Sequence, residues 1–311
     1  MTRAGWSISS VLLLLLFVAA LGLMREGYEY QPLMALEPSE SAGWVTDGLG
    51  RAVAIPQPPQ RIISIFASNT ELLCAIGAGP HIVGIEEKTR FPPDILDRPL
   101  VGGRLGFSVE HIAELAPDLV VMTTARHAAD QLLRPLSAIG VPVVILRHQT
   151  IEQVFTNLDL LGQATHRREE AARCIEQLRL RLGMVTNRIA GQPRPRCYFE
   201  TGSAGSAGFM TAGQDTYTLD ALHLAGGVSI FPDRVSGLPV SGEAVFLADP
   251  EVILVCGDAA AVTALMARPG WQHLRAVREG RVYPIPRALT LIPGPRIIEG
   301  VEQLAAILHP Q

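Results

Sequence analysis

Two segments of this chain carry the same acid in the same setting. Ser108-Val-Glu110-His-Ile112-Ala-Glu-Leu-Ala-Pro117-Asp118 returns as Ser241-Gly-Glu243-Ala-Val245-Phe-Leu-Ala-Asp-Pro250-Glu251, with the same internal spacing. Each copy reads as a serine cap, a short apolar helix, a Pro-acid turn and a buried strand. An acid in the first turn of a helix is favoured by the helix dipole, by about 0.3–1 kcal/mol. That accounts for either glutamate alone. The dipole is served by Asp or Glu at several positions, so a glutamate at one matched position in both copies suggests two matched docking points.

Other residue types that do chemistry are present without the spacing it needs. Gly202-Ser203-Ala-Gly205 misses the Gly-x-Ser-x-Gly pattern, and no strand–Ser–helix elbow follows it. No Gly-x-Gly-x-x-Gly follows a strand with a partner acid. Zinc takes about four ligands. The eight histidines mostly stand alone. His127 and His148 both follow strands of the first half, but the second half offers no matching histidine at its strand ends. The reading is therefore of a protein that is not an enzyme, with no catalytic residue, no metal site and no cofactor. Cys74, Cys174, Cys197 and Cys256 sit in apolar patterns and read as small buried hydrophobes, with a Cys197–Cys256 bridge as the exception to watch.

The elements that must position these residues alternate between strand and helix. The 311 residues are 48% hydrophobic and 18% charged, which suits two well-filled domains. The net charge is −4 with no basic block, so nucleic-acid binding has no electrostatic footprint. Arg3 precedes a leucine-rich run, and from Ile8 to Met24 it is long enough to be a cleaved export signal or a retained inner-membrane anchor. Residues 1–24 are assigned to that segment and 25–43 to a linker. Val45–Ile55 reads as a hairpin. Strands follow at Arg61–Phe66, His81–Glu86, Leu119–Thr123 and Val141–Leu146, with helices between them. Continuous Val/Ile/Leu runs of this kind make parallel sheets covered on both faces. After a break near Thr165–Arg168, Glu169–Ile189 predicts a helix of about 31 Å. The pattern then repeats from Arg196 onward. The expected class is α/β, with two Rossmann-like lobes of parallel sheet at 44–163 and 193–311 and a long helix joining them at 164–192.

Several motifs in order carry a resemblance. They are Val45-Thr-Asp-Gly-Leu-Gly-Arg51, Arg61-Ile-Ile-Ser-Ile-Phe-Ala-Ser68-Asn69-Thr70-Glu71, Gly77-Ala-Gly79-Pro-His-Ile-Val-Gly84, Phe91-Pro-Pro93, Val101-Gly102, Pro269-Gly-Trp271 and Gly280-Arg-Val282. Over about residues 44–309 the chain resembles the metal-chelate substrate-binding proteins of ABC importers, the group that binds vitamin B12, ferric siderophores and haem. The resemblance implies a periplasmic monomer with two rigid lobes on one backbone helix, a ligand cleft between the lobes and little closure. It implies that Glu110 and Glu243 meet arginines of the membrane permease. Ligand should contact loops at the carboxyl ends of the strands. Arg104, Phe107, Arg126, His127, Arg147, Phe209 and Arg287 are the candidates, since the family lines its pocket with aromatics and, for anionic chelates, arginines. Asn69 is expected to cap the helix after the first strand. The loop Gly103-Arg104-Leu-Gly106 lacks the tyrosine that haem-binding relatives place there, which ranks a ferric siderophore or a corrinoid above haem. A membrane-anchored ligand sensor is the alternative of another class.

Overall fold

Runs of Val, Ile and Leu without polar alternation need cover on both faces, and they set the frame of this protein. The computed structural model describes residues 43–103, 105–123 and 128–310. The export segment, residues 25–42 of the linker, and Arg104, Arg126 and His127 lie outside the described residues. Strands β1 (Trp44–Thr46) and β2 (Ala52–Ala54) form the expected antiparallel hairpin. Next come β3 (Ile62–Ser64), α1 (Ala67–Ala75), β4 (Ile82–Ile85), the short strands β5 (Gly102–Gly103) and β6 (Gly106–Phe107), and α2 (Val109–Glu114). Strand β7 (Leu119–Thr123), α3 (Ala128–Ala138) and β8 (Val143–Leu146) complete the first lobe. Its main sheet is parallel, in the order β4-β3-β7-β8.

Helix α4 (Ile151–Ala164) and helix α5 (Arg168–Ile189) connect the lobes. The 22 residues of α5 span about 33 Å. The break between them turns through His166, in the left-handed region at φ 57°. Gly162 lets the two helices touch, since a Cβ there would lie 2.5 Å from the Cβ of Ala171. The second lobe holds β9 (Arg196–Ser203), β10 (Phe209–Thr211), α6 (Tyr217–Leu224), β11 (Val228–Ser229), α7 (Gly242–Ala248) and β12 (Val252–Cys256). It closes with α8 (Ala259–Met266), α9 (Arg275–Arg278), β13 (Val282–Ile285), α10 (Arg287–Thr290) and α11 (Ile297–Leu308). Here β9, β12 and β13 run parallel, β11 joins the start of β9, and β10 folds back antiparallel on its end. Among the described residues no helix is long and apolar enough to cross a membrane.

One hydrophobic core runs through both lobes. It starts at Ile62, Leu119 and Val144 of the first sheet and passes Val154, Leu158 and Leu178 of α4 and α5. It ends on Cys197 and Leu254 of the second sheet and Leu304 of α11. The opposite faces of the sheets have cores of their own, around Ile63 and Met122 in the first lobe and around Tyr198 and Trp271 in the second. A buried ion pair adds to this joint. Arg296, at the start of α11, donates through Nε and Nη2 to Glu71 of α1 at 3.0 and 2.6 Å. The guanidinium also stacks on Phe91, 4.0 Å from the ring centre.

Two expectations need correction. Asn69 does not cap α1. The helix begins two residues earlier, Phe66 takes the cap position at φ 79°, and Asn69 lies inside the first turn. All four cysteines are free, as the main reading of them had it, and the Cys197–Cys256 bridge kept as the exception does not form. Cys197 pairs across from Val252, so Cys256 stands four residues further along the neighbouring strand, about 13 Å of strand rise away. Cys74 and Cys174 are only half-buried.

Candidate functional site

The carboxyl end of β8 delivers Arg147, His148 and Gln149 to the gap between the lobes. Opposite them the second lobe contributes Thr201 of β9, Met210 and Thr211 of β10, and the loop that leads into α6. His148, Gln149, these residues, the segment Val235–Gly237 and Leu291 line a cavity of about 710 Å³. The loop is held by short-range bonds that its sequence supplies. Thr216 accepts from Leu219 N as the cap of α6, and its hydroxyl donates to the Gly213 carbonyl at 2.6 Å. Asp215 turns through the left-handed region at φ 56°. Asp220 of α6 accepts from the Ile151 amide at 3.0 Å, which ties the start of α4 to the second lobe.

His148 is a half-buried titratable group in the cavity lining. Its Nε2 lies 2.8 Å from Asn69 Oδ1, and Asn157 Nδ2 lies 3.3 Å from its Nδ1. Asn69 Nδ2 donates to the Ile65 carbonyl, which fixes that amide with its oxygen toward the imidazole. The ring is thereby a neutral Nε2–H tautomer, donating to Asn69 and accepting from Asn157. Burial lowers its pKa from 6.5 to about 4. The Tyr217 hydroxyl donates to the Leu291 carbonyl at 3.0 Å, and burial raises its pKa. The imidazole of His148 and the phenol of Tyr217 are thus both engaged within the protein. Among the described residues no group of three or more His, Cys, Asp and Glu is placed to hold a metal ion.

The candidates from sequence fall in different places. Arg147 is exposed beside the cavity and donates to Gln149 Oε1 at 3.1 Å. Arg287 is exposed and donates to the carbonyl of Thr201, which lines the cavity. Phe107 is half-buried on β6 and packs against Phe66, with ring centres 6.4 Å apart. Phe209 lies edge-on to Trp271 at 5.4 Å and beneath the Arg268 guanidinium at 3.8 Å. Arg268 makes a two-pronged pair with Glu200, both bonds at 2.7 Å. Neither phenylalanine lines the cavity. Thr211 and the 212–217 loop are not singled out by the sequence, whereas the loop ending at Met210 is expected at the cleft. The turn residues Gly213-Gln-Asp215 ahead of a Thr-capped helix were the available signal.

The paired glutamates occupy matching positions. Glu110 and Glu243 are both exposed in the first turns of α2 and α7. Ser108 Oγ accepts from His111 N, and Ser241 Oγ accepts from Ala244 N, each at 3.1 Å. Ile112 and Val245 are fully buried beneath them. Both helices end on a left-handed residue before proline, Ala116 at φ 42° and Asp249 at φ 40°. Both then meet the preceding strand in the same way. Asp118 accepts from the Arg61 amide and Glu251 from the Arg196 amide, while the two guanidiniums bond the last carbonyls of the two helices. Each helix is followed directly by a central strand of its sheet, α2 by β7 and α7 by β12.

The chain is similar to known proteins over most of its length. An ABC transporter substrate-binding lipoprotein of Bacillus subtilis, itself uncharacterized, is 26% identical over 271 residues, covering 86% of this chain and 85% of its own. A vitamin B12-binding protein of Vibrio cholerae is 27% identical over 257 residues, covering 82% of this chain and 91% of its own. The crystal structure of a periplasmic heme-binding protein from Pseudomonas aeruginosa superposes with a TM-score of 0.72 at 28% identity, covering 81% of this chain and 94% of that one. The periplasmic binding protein family matches residues 62–289, most of the chain, and the chain belongs to that family.

Proposed function

We propose that this protein captures a metal chelate outside the cytoplasm and delivers it to the permease of an ABC importer. The observation that carries the reading is the cavity at the carboxyl ends of two parallel sheets, in a chain whose lobes each expose a glutamate in the first turn of a matched helix. The ligand class is a corrinoid or a ferric siderophore, which arrive with the metal already coordinated. The committed state of His148 and Tyr217 supports a cargo that needs no axial ligand from these residues. A haem reading draws support from the similarity to a heme-binding protein. Absorbance separates the two. A self-contained chelate keeps its free spectrum on binding, whereas haem ligated by the protein shifts its main band.

Arg147 and Arg287, exposed on opposite sides of the cavity, are the side chains we assign to an anionic periphery of the cargo. Arg104, Arg126, His127, Phe107 and Phe209, the other candidates read from the sequence, complete the candidate set. Glu110 and Glu243 are the docking acids, acting through register and encounter rate. The protein acts as a monomer. Delivery is tested by uptake in cells that lack the native gene. Glu110→Arg with Glu243→Arg should abolish uptake while the affinity for chelate stays that of the parent. A fall in chelate affinity would instead place the two acids in the pocket or the fold.

A further inference from the structure

The two docking helices repeat their acid and their cap, but not the residues beside the acid. Glu243, Phe246 and Leu247 stand three and four positions apart on α7 and so share one face. Phe246 is 45% exposed and Leu247 is 84% exposed. The matching positions of α2 hold Glu110, Ala113 and Glu114, all exposed, with Glu114 Oε2 3.3 Å from His111 Nδ1. Single apolar residues on a surface are ordinary. Two adjacent ones on the face of an exposed acid, in one copy of a repeat whose other copy is charged there, are a difference that the shared scaffold does not require. Leu105, the fully exposed apolar residue of the first lobe, stands in the β5–β6 turn and not on α2.

Resting on the docking role proposed above, we infer that the α7 face binds the permease through an apolar socket beside a cation, while the α2 face engages by charge alone. The complement of Glu243 is a cation, since among the described residues Glu243 forms no ion pair. The complement of Phe246 and Leu247, one turn further along, is an apolar pocket. A second copy of this chain is the poorer occupant. A two-fold contact through this face would set Glu243 against its own copy.

The test titrates the full chain against the permease–ATPase complex of the same organism, held in nanodiscs, at low and at high salt. Phe246→Ser with Leu247→Ser should weaken binding about tenfold or more at both salt levels, as burial of such side chains contributes. Glu243→Gln and Glu110→Gln should weaken it mainly at low salt, where screening is least. Glu114→Gln should have a small effect, confined to low salt. If the double serine variant binds like the parent while the glutamine variants weaken, the docking role stands and the apolar socket does not. If the glutamine variants also bind like the parent, the docking role itself fails and this inference fails with it. Loss of chelate affinity in the double serine variant, or loss of a dimer of this chain, would equally overturn the socket.

Discussion

His148 is neutral in the folded protein because its surroundings leave no room for a second proton. Asn157 fills the Nδ1 lone pair, Asn69 takes the Nε2 proton, and burial disfavours the cation. The folded pKa is depressed from 6.5 to about 4. The unfolded chain therefore binds more protons within that window, and stability is full above pH 6.5 and lost as pH falls toward 4. His148→Gln removes this titration. Between pH 7 and pH 4 the parent should lose about 2–3 kcal/mol relative to the variant, measured by urea unfolding at each pH. Equal pH slopes for the two proteins would place the proton elsewhere. At this scale the sequence was partly legible. His148 was visible as a cleft histidine, but its tautomer depends on Asn69 and Asn157, which lie far from it in sequence. Asn69 read as a helix cap because the pattern shows an Asn after a strand. It does not show that Phe66, in a strained conformation, already holds that position.

Among the elements, the repeat was the most legible feature, since a cap, a buried apolar position and a Pro-acid turn are all local signals. The structure adds the long-range half. Arg61 and Arg196 close the ends of α2 and α7 from neighbouring strands, and nothing near either arginine in sequence shows it. Ser108→Ala and Ser241→Ala should each cost about 1 kcal/mol, as loss of a capping oxygen does. Denaturant midpoints check this, and a change well below 0.5 kcal/mol would mean that water replaces the cap. The parallel strands were legible for the same reason as the repeat, being uninterrupted apolar runs. The cavity wall at 211–217 was not, because small polar loop residues carry little pattern until a second lobe faces them.

For the whole molecule, one core and one buried ion pair join the lobes. Arg296 is the partner that Glu71 needs, since burial raises the pKa of that acid and Arg296 opposes the rise. Arg296→Met should destabilise the protein by about 3 kcal/mol by leaving a buried carboxylate without its partner. Glu71→Leu in the same chain should recover much of that loss, a non-additivity read from a double-mutant cycle. Additive losses would mean that the pair does not act as a unit. A core shared between the lobes is expected to limit closure, in contrast to a hinge made of loose strands. Scattering curves of the free and loaded protein should superimpose.

The proposed role requires the cleft to hold a metal chelate. Calorimetric titration of residues 44–311 with cyanocobalamin, ferrichrome and haemin tests it directly. Saturable binding of one chelate per chain, at about micromolar affinity or tighter, is expected for cyanocobalamin or ferrichrome. Binding should weaken on Arg147→Ala or Arg287→Ala if the cargo is anionic at its edge. No saturable binding to any of the three would contradict it.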